Sequence, residues 1–129
     1  MDSLDKIKQI NKLESVIEDW LYTEFRCAGI QLQTQYPVGK FRLDMADPKI
    51  KLAIECDGRA YHTSDEQVKY DKARDKIIKK EGWTIKRFSG KSIFNNTALV
   101  VCRIIEEFYP DYKNKYYYLE TMEENQILE

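Results

Sequence analysis

The stretch that decides the fold is Ile50-Lys51-Leu52-Ala53-Ile54-Glu55-Cys56-Asp57-Gly58. Ile50, Leu52, Ile54 and Cys56 alternate with Lys51, Ala53, Glu55 and Asp57, the period of two that a strand imposes, and Gly58 ends the run. Glu55 and Asp57 therefore share one face of the strand, while Ile54 and Cys56 point toward the core. Just upstream, Asp47-Pro48 reads as a turn and Phe41–Met45 as a second strand, in which Asp44 has the opposite parity to Phe41, Leu43 and Met45. An antiparallel hairpin of the two strands brings Asp44 beside Glu55 and Asp57. Three converging carboxylates repel one another unless a cation sits between them or some are protonated. Oxygen donors without a Cys/His set suit Mg²⁺ or Mn²⁺ rather than zinc. The same spacing also fits a plain acidic sheet surface, and the pattern alone leaves both open.

Working outward, residues 4–28 carry Leu4, Ile7, Ile10, Leu13, Val16, Ile17, Trp20, Leu21 and Phe25, mostly three or four apart. This predicts one amphipathic helix, or two split near Asn11, stopped at Gly29. Residues 31–36 read as extended, and Pro37 with Gly39 as a turn. Beyond the central strand, Ser64 followed by Gln67 has the form of a capping box. It opens a charged helix that runs through Ile77 and Ile78 to a stop at Gly82. Trp83–Phe88 is a short strand, and Asn96–Tyr109 a helix closed by Pro110. A meander followed by a helical crossover to one more strand implies an α/β (α+β) fold with a mixed four-stranded sheet flanked by helices. The expected domain spans residues 1–109, with a Tyr-rich and then acidic extension over 110–129.

The chain has 129 residues, 43% hydrophobic and 33% charged, enough for one soluble domain with a real core. No apolar run reaches the ~20 residues of a membrane helix, and MDSLDKIKQI lacks the apolar block of a secretory signal. The starting Met fits a complete gene product. Cys27, Cys56 and Cys102 are too few and too scattered for a disulfide framework or a paired-Cys zinc site, so a cytoplasmic, reducing compartment is expected. The net charge of −1 conceals an asymmetry. Asp65 to Lys91 holds nine Lys/Arg against five Asp/Glu, and Ile105 to Glu129 two against seven. A basic segment in a neutral chain is able to hold phosphates on one face. His62 is the only histidine, five residues past Asp57 and just beyond the strand end, a place where sites are commonly built.

These residues carry a resemblance. The run Gln35-Tyr-Pro-Val-Gly-Lys-Phe-Arg-Leu-Asp44 is followed by Leu52-Ala-Ile-Glu55-Cys-Asp57-Gly58, His62, Tyr70-Asp71, Arg74-Asp75, Gly82-Trp83 and Arg87-Phe88. Together they resemble the PD-(D/E)XK nucleases, and within them the branch similar to very-short-patch repair endonucleases and the EDxHD-type homing nucleases. The resemblance covers roughly residues 13 to 105. It implies a restriction-endonuclease-like αβββαβ core, the same order the periodicity gives. It also implies Mg²⁺ or Mn²⁺ held by Asp44, Glu55 and the main-chain carbonyl of Cys56. Glu18 on the first helix and Gln35 on the first strand would reach the site, and His62 would stand beside metal-bound waters. Asp57 replaces the usual motif lysine, so its task falls to His62 or to a second metal ion held by Asp57.

The activity so implied is metal-dependent DNA endonucleolysis, one strand per active site. Lys69, Arg74 and Arg87 are candidate phosphate contacts that would set affinity rather than sequence choice. An ion pair with Asp71 is the competing use of Arg74. Tyr109, Tyr112, Tyr116, Tyr117 and Tyr118 either pack on the core or form a homodimer or base-stacking surface. A larger-machine partner is another source of specificity. The alternatives are a DNA-binding accessory domain of nuclease fold that has lost its chemistry, a substrate other than duplex DNA, or a mixed-sheet protein whose acidic face is plain surface.

Overall fold

Ile17, Leu21, Phe25 and Ala28 recur at helical spacing and are all buried, and this stripe builds α1 (residues 16–27). The computed structural model describes residues 16–57 and 64–112. The earlier part of the predicted first helix lies outside them. So do His62 and Tyr116 to Tyr118. Helix α1 stops where expected. Ile30 N–H bonds the Phe25 carbonyl at 2.8 Å and Gly29 N–H the Arg26 carbonyl at 2.9 Å. This is a Schellman cap, and it requires the left-handed conformation that Gly29 adopts at φ 87°.

The strands β1 (Gln33–Val38), β2 (Phe41–Asp47), β3 (Leu52–Asp57) and β4 (Thr84–Ser89) form one sheet in that order. The first two pairings are antiparallel and β3–β4 is parallel. The sheet is mixed, as the meander and crossover predict. Strand β1 continues through Pro37, which the sequence reading assigns to the turn. As an edge strand it tolerates a residue without an N–H, and the chain reverses at Gly39 and Lys40 instead.

Helix α2 (Asp65–Lys80) supplies the crossover, and α3 (Gly90–Phe108) follows β4 directly. Ser64 Oγ accepts from Gln67 N at 3.1 Å, one half of the expected capping box, whereas the Gln67 side chain donates to Asp71 instead. Helix α3 starts six residues before the expected Asn96. Ser89 caps a first short segment. Asn96 is non-helical at φ −156° and its Oδ1 accepts from Leu99 N, so it caps a second segment after a kink.

Two apolar clusters lie on opposite faces of the sheet. One joins α1 and α3 to Met45, Leu52 and Ile54. The other joins Ile78 of α2 to Phe41, Leu43, Ala46, Ala53 and Trp83. With helices on both sides, β3 is buried from Leu52 through Glu55. Tyr109 and Tyr112 pack against the α1–α3 cluster. No helix among the described residues is long and apolar enough to cross a membrane.

Candidate active site

The site grows from a break in the sheet. Strands β2 and β3 pair only from Asp47↔Leu52 to Met45↔Ile54. At the next residue the Asp44 carboxylate reaches across, and its Oδ2 accepts from Cys56 N at 2.9 Å. A side chain thus takes the place of a ladder bond. The kink extends into β1. Thr34↔Met45 and Tyr36↔Leu43 bracket Gln35 against Asp44, and Gln35 sits at φ 51°. That is left-handed backbone on a non-glycine residue, at a cost of about 1–2 kcal/mol. The break also changes which residues face which layer. Phe41 and Leu43 belong to the α2 cluster, whereas Met45 belongs to the α1–α3 cluster. Strict alternation misses this change.

Cys56 and Asp57 are half-buried at the C-terminal end of β3, where Asp57 pairs in register with Ser89. The N-terminus of α3 is therefore at this end of the sheet. Trp20 of α1 stacks on Phe94 of α3 with centroids 5.5 Å apart. This contact brings the first described turns of α1, which carry half-buried Glu18, to the same end. The fold thus collects Asp44, Cys56, Asp57, Gln35 and the Glu18 turn at one end of the sheet. His62, five residues after Asp57, lies outside the described residues.

Glu55 behaves differently from the expectation. It is 5% exposed, beneath α2 rather than on an open acidic face. Arg74 Nη1 donates to its Oε1 at 2.8 Å and Nη2 to its Oε2 at 2.9 Å, a two-pronged guanidinium–carboxylate pair. Arg87, its register partner on β4, donates Nη2 to Oε1 at 2.9 Å. Arg74 Nη2 also bonds the Arg42 carbonyl. Asp75 completes the network, accepting two bonds from Arg87 at 3.0 Å and one from Arg74 at 3.3 Å. Two guanidiniums face two carboxylates, so the group closes at zero net charge.

The titration directions follow from these contacts. Burial works to lower Arg74, but the hydrogen bond and charge of Glu55 outweigh it and raise the guanidinium. The hydrogen bond to Asp75, joined by Glu55, raises Arg87 against its own desolvation. Burial works to raise Asp75, yet Arg87 and Arg74 hold it below the usual carboxylate value.

This network corrects two expectations. Arg74 and Arg87 point inward to carboxylates, not outward to phosphates. Arg74 pairs with Glu55 and Asp75, and not with Asp71. Among the described residues no three His, Cys, Asp or Glu side chains gather as a metal-ion group, and Glu55 is held by Arg74. Lys69, the third expected phosphate contact, is exposed on α2. The sequence reading assigned no role to Asp75. The available signal was an Arg-Asp pair in a helix that must cross the strand carrying Glu55.

Comparison with known proteins bears on the whole assembly. The family model REase_MTES_1575 matches residues 17–108. The uncharacterized protein YcjD of Escherichia coli K12 is 32% identical over 89 residues, covering 68% of this chain and 74% of that protein. An uncharacterized protein of Haemophilus influenzae is 33% identical over 79 residues, covering 61% of this chain and 48% of that protein. The catalytic domain of the homing endonuclease I-Bth0305I superposes with a TM-score of 0.60 at 20% identity, over 75% of this chain and 96% of that domain. The mixed sheet parted at an aspartate, the helices on both faces and the family match over most of the chain lead to one conclusion: the protein belongs to the REase_MTES_1575 family and has the PD-(D/E)XK restriction-endonuclease-like fold.

Proposed function

We propose that the chain is a divalent-cation-dependent endodeoxyribonuclease that hydrolyses phosphodiester bonds, one strand per site. The observation that carries this reading is the Asp44–Cys56 clasp at the parting of β2 and β3. It fixes an acid and the main chain of the neighbouring strand at the same place, beside Asp57. Carboxylate and carbonyl oxygens are the donors that hard cations prefer. The residues therefore fit Mg²⁺ or Mn²⁺, with Asp44, Asp57 and the Cys56 carbonyl as the proposed holders. Such a cation, when bound, supplies charge neutralisation at a phosphate and a more acidic water.

The chain's own part is positioning and proton transfer. The clasp holds Asp44 against β3, so its orientation costs no ordering when substrate arrives. His62 is the proposed proton acceptor, a task suited to imidazole near neutral pH and worth ~10²–10⁴-fold in typical cases. Glu18 and Gln35 are proposed to line the cleft from α1 and β1. With Arg74 and Arg87 turned inward, Lys69 and the other exposed lysines of α2 are the proposed phosphate contacts, and they would make binding salt-dependent.

The test is nicking of supercoiled plasmid with Mg²⁺ or Mn²⁺, beside EDTA and Asp44→Ala. Metal-dependent nicking that Asp44→Ala abolishes is the expected result. DNA binding without cleavage by the wild type would overturn the enzyme reading in favour of a DNA-binding accessory domain.

A further inference from the structure

Beside Asp44, the third-strand acid Glu55 is nominated by the resemblance as a cation ligand. Its surroundings argue otherwise. Both of its oxygens accept from guanidinium groups, three bonds of 2.8 to 2.9 Å in all. These bonds take three of the carboxylate's about four acceptor sites, so a cation at Oε2 would share that oxygen with Arg74, whose side chain is 15% exposed. There a divalent ion would stand beside two guanidiniums and compete with them for the single charge of Glu55. Buried cations without partners are costly, and adding a third positive centre increases the cost.

The same contacts show what Glu55 does. Arg74 comes from α2 and Arg87 from β4, and Arg74 also bonds the Arg42 carbonyl of β2. Glu55 is thus the point where one helix and three strands are tied together. It lies one residue from Cys56, whose N–H meets Asp44. We propose that Glu55 is a positioning residue and not a cation ligand. It anchors the end of β3 so that the Cys56 main chain and Asp57 are presented to the cation together with Asp44. The cation half of this inference rests on the nuclease reading above, whereas the anchoring half does not.

The test combines melting of the metal-free protein with Mn²⁺ titration by calorimetry, on the wild type, Glu55→Gln, Asp44→Asn and Arg87→Gln. Glu55→Gln should melt roughly 10 °C below the wild type. It should still bind Mn²⁺, weakened no more than the ~10–100-fold seen for residues that support a ligand, whereas Asp44→Asn should lose measurable binding. Arg87→Gln separates the two roles even if Glu55→Gln does not fold. If Arg87 competed with the cation for Glu55, its removal would tighten Mn²⁺ binding. The proposal expects affinity equal to or weaker than that of the wild type. It is overturned if folded Glu55→Gln loses Mn²⁺ as completely as Asp44→Asn, or if Arg87→Gln binds more tightly. If the wild type binds no Mn²⁺, the cation reading fails by itself. Melting then decides the anchor, and a Glu55→Gln protein within about 2 °C of the wild type refutes it.

Discussion

Asp44 and Asp47 stand three residues apart on one strand and do opposite things. Asp47 lies at the end of the sheet where β2 turns into β3. Its Oδ1 accepts from Lys49 N at 3.1 Å and its Oδ2 from the Tyr109 hydroxyl at 2.7 Å. The tyrosine hydroxyl is raised by burial and by that same carboxylate. This end is closed by packing, with Tyr109 and Tyr112 seated on the α1–α3 cluster. Asp44 lies where the strands separate, and its partner is a main-chain N–H that has lost its ladder. One aspartate finishes a turn and the other holds open an edge. Strict alternation would only put them on opposite faces and says nothing of these roles. What differs is whether the strands on either side continue to pair.

The sharpest break of this comparison is paired removal of the two acids. Asp44→Ala should reduce nicking by on the order of 10³-fold, the scale of several kcal/mol of transition-state charge stabilisation. Asp47→Ala should leave the nicking rate within a few-fold while removing about 1 kcal/mol of stability. Plasmid nicking and denaturant melts on both variants check this. Equal loss of activity would erase the distinction between the two ends.

Next in size is the ion network. Glu55→Ala leaves two arginines facing Asp75 alone, and removing one member of a buried pair costs roughly 3–5 kcal/mol. Replacing Glu55, Arg74, Asp75 and Arg87 together with apolar residues of similar volume should cost much less, because no charge is left without a partner. Urea denaturation of the single and quadruple variants measures the difference. A quadruple variant less stable than Glu55→Ala would contradict this account.

A smaller effect belongs to the closed end. Gly29 is at φ 87°, and a Cβ there would meet the buried Tyr112 hydroxyl. Gly29→Ala should cost about 1–3 kcal/mol, from left-handed strain together with displacement of the tyrosine. Its nicking rate at low temperature should match that of the wild type, since it lies at the end of the sheet away from Asp44. Thermal melts and plasmid assays at 15 °C would show it.

The sequence made the framework legible because periodicity and punctuation agree. The stripe Ile17, Leu21, Phe25 marks α1, Gly29 and Gly82 stop their helices with positive φ, and Ser64 starts α2. The placement of Asp44 against β3 was legible from the hairpin that the two strands form. The role of Glu55 was not legible, because alternation says which face a side chain takes and not what covers that face. Once α2 lies across the sheet, the polar face of β3 becomes interior and an acid there needs buried partners. Those partners come from residues 19 and 32 positions away, farther than any local pattern extends. The kink at Gln35 and Asp44 was hidden for a related reason: it changes parity within both strands, and period-two reasoning assumes constant parity. The early start of α3 was missed because Asn96 is a good cap, and it caps only the second segment.

Acid pH sharpens the comparison further, because the network and the turn should respond unequally. Arg87 and Arg74 hold Asp75 below its ordinary value of 3.8. A carboxylate depressed in the folded state is stabilising above its unfolded value, and that contribution disappears as pH falls through the lower folded value. The protein should therefore lose melting temperature as pH drops below about 4. The loss should be shallower in Asp75→Asn, which has no proton to take up at that position. The two arginines stay charged throughout, so protonation of Asp75 removes a countercharge that they share. That places the acid-sensitive step in the layer between α2 and the sheet, away from the Asp47–Tyr109 contact. Melting curves from pH 7 to pH 2.5 on the wild type, Asp75→Asn and Tyr109→Phe separate the two regions. Tyr109→Phe should lower the whole curve by a roughly constant amount, and Asp75→Asn should change its slope. Parallel curves for all three proteins would move the acid-sensitive step out of the network.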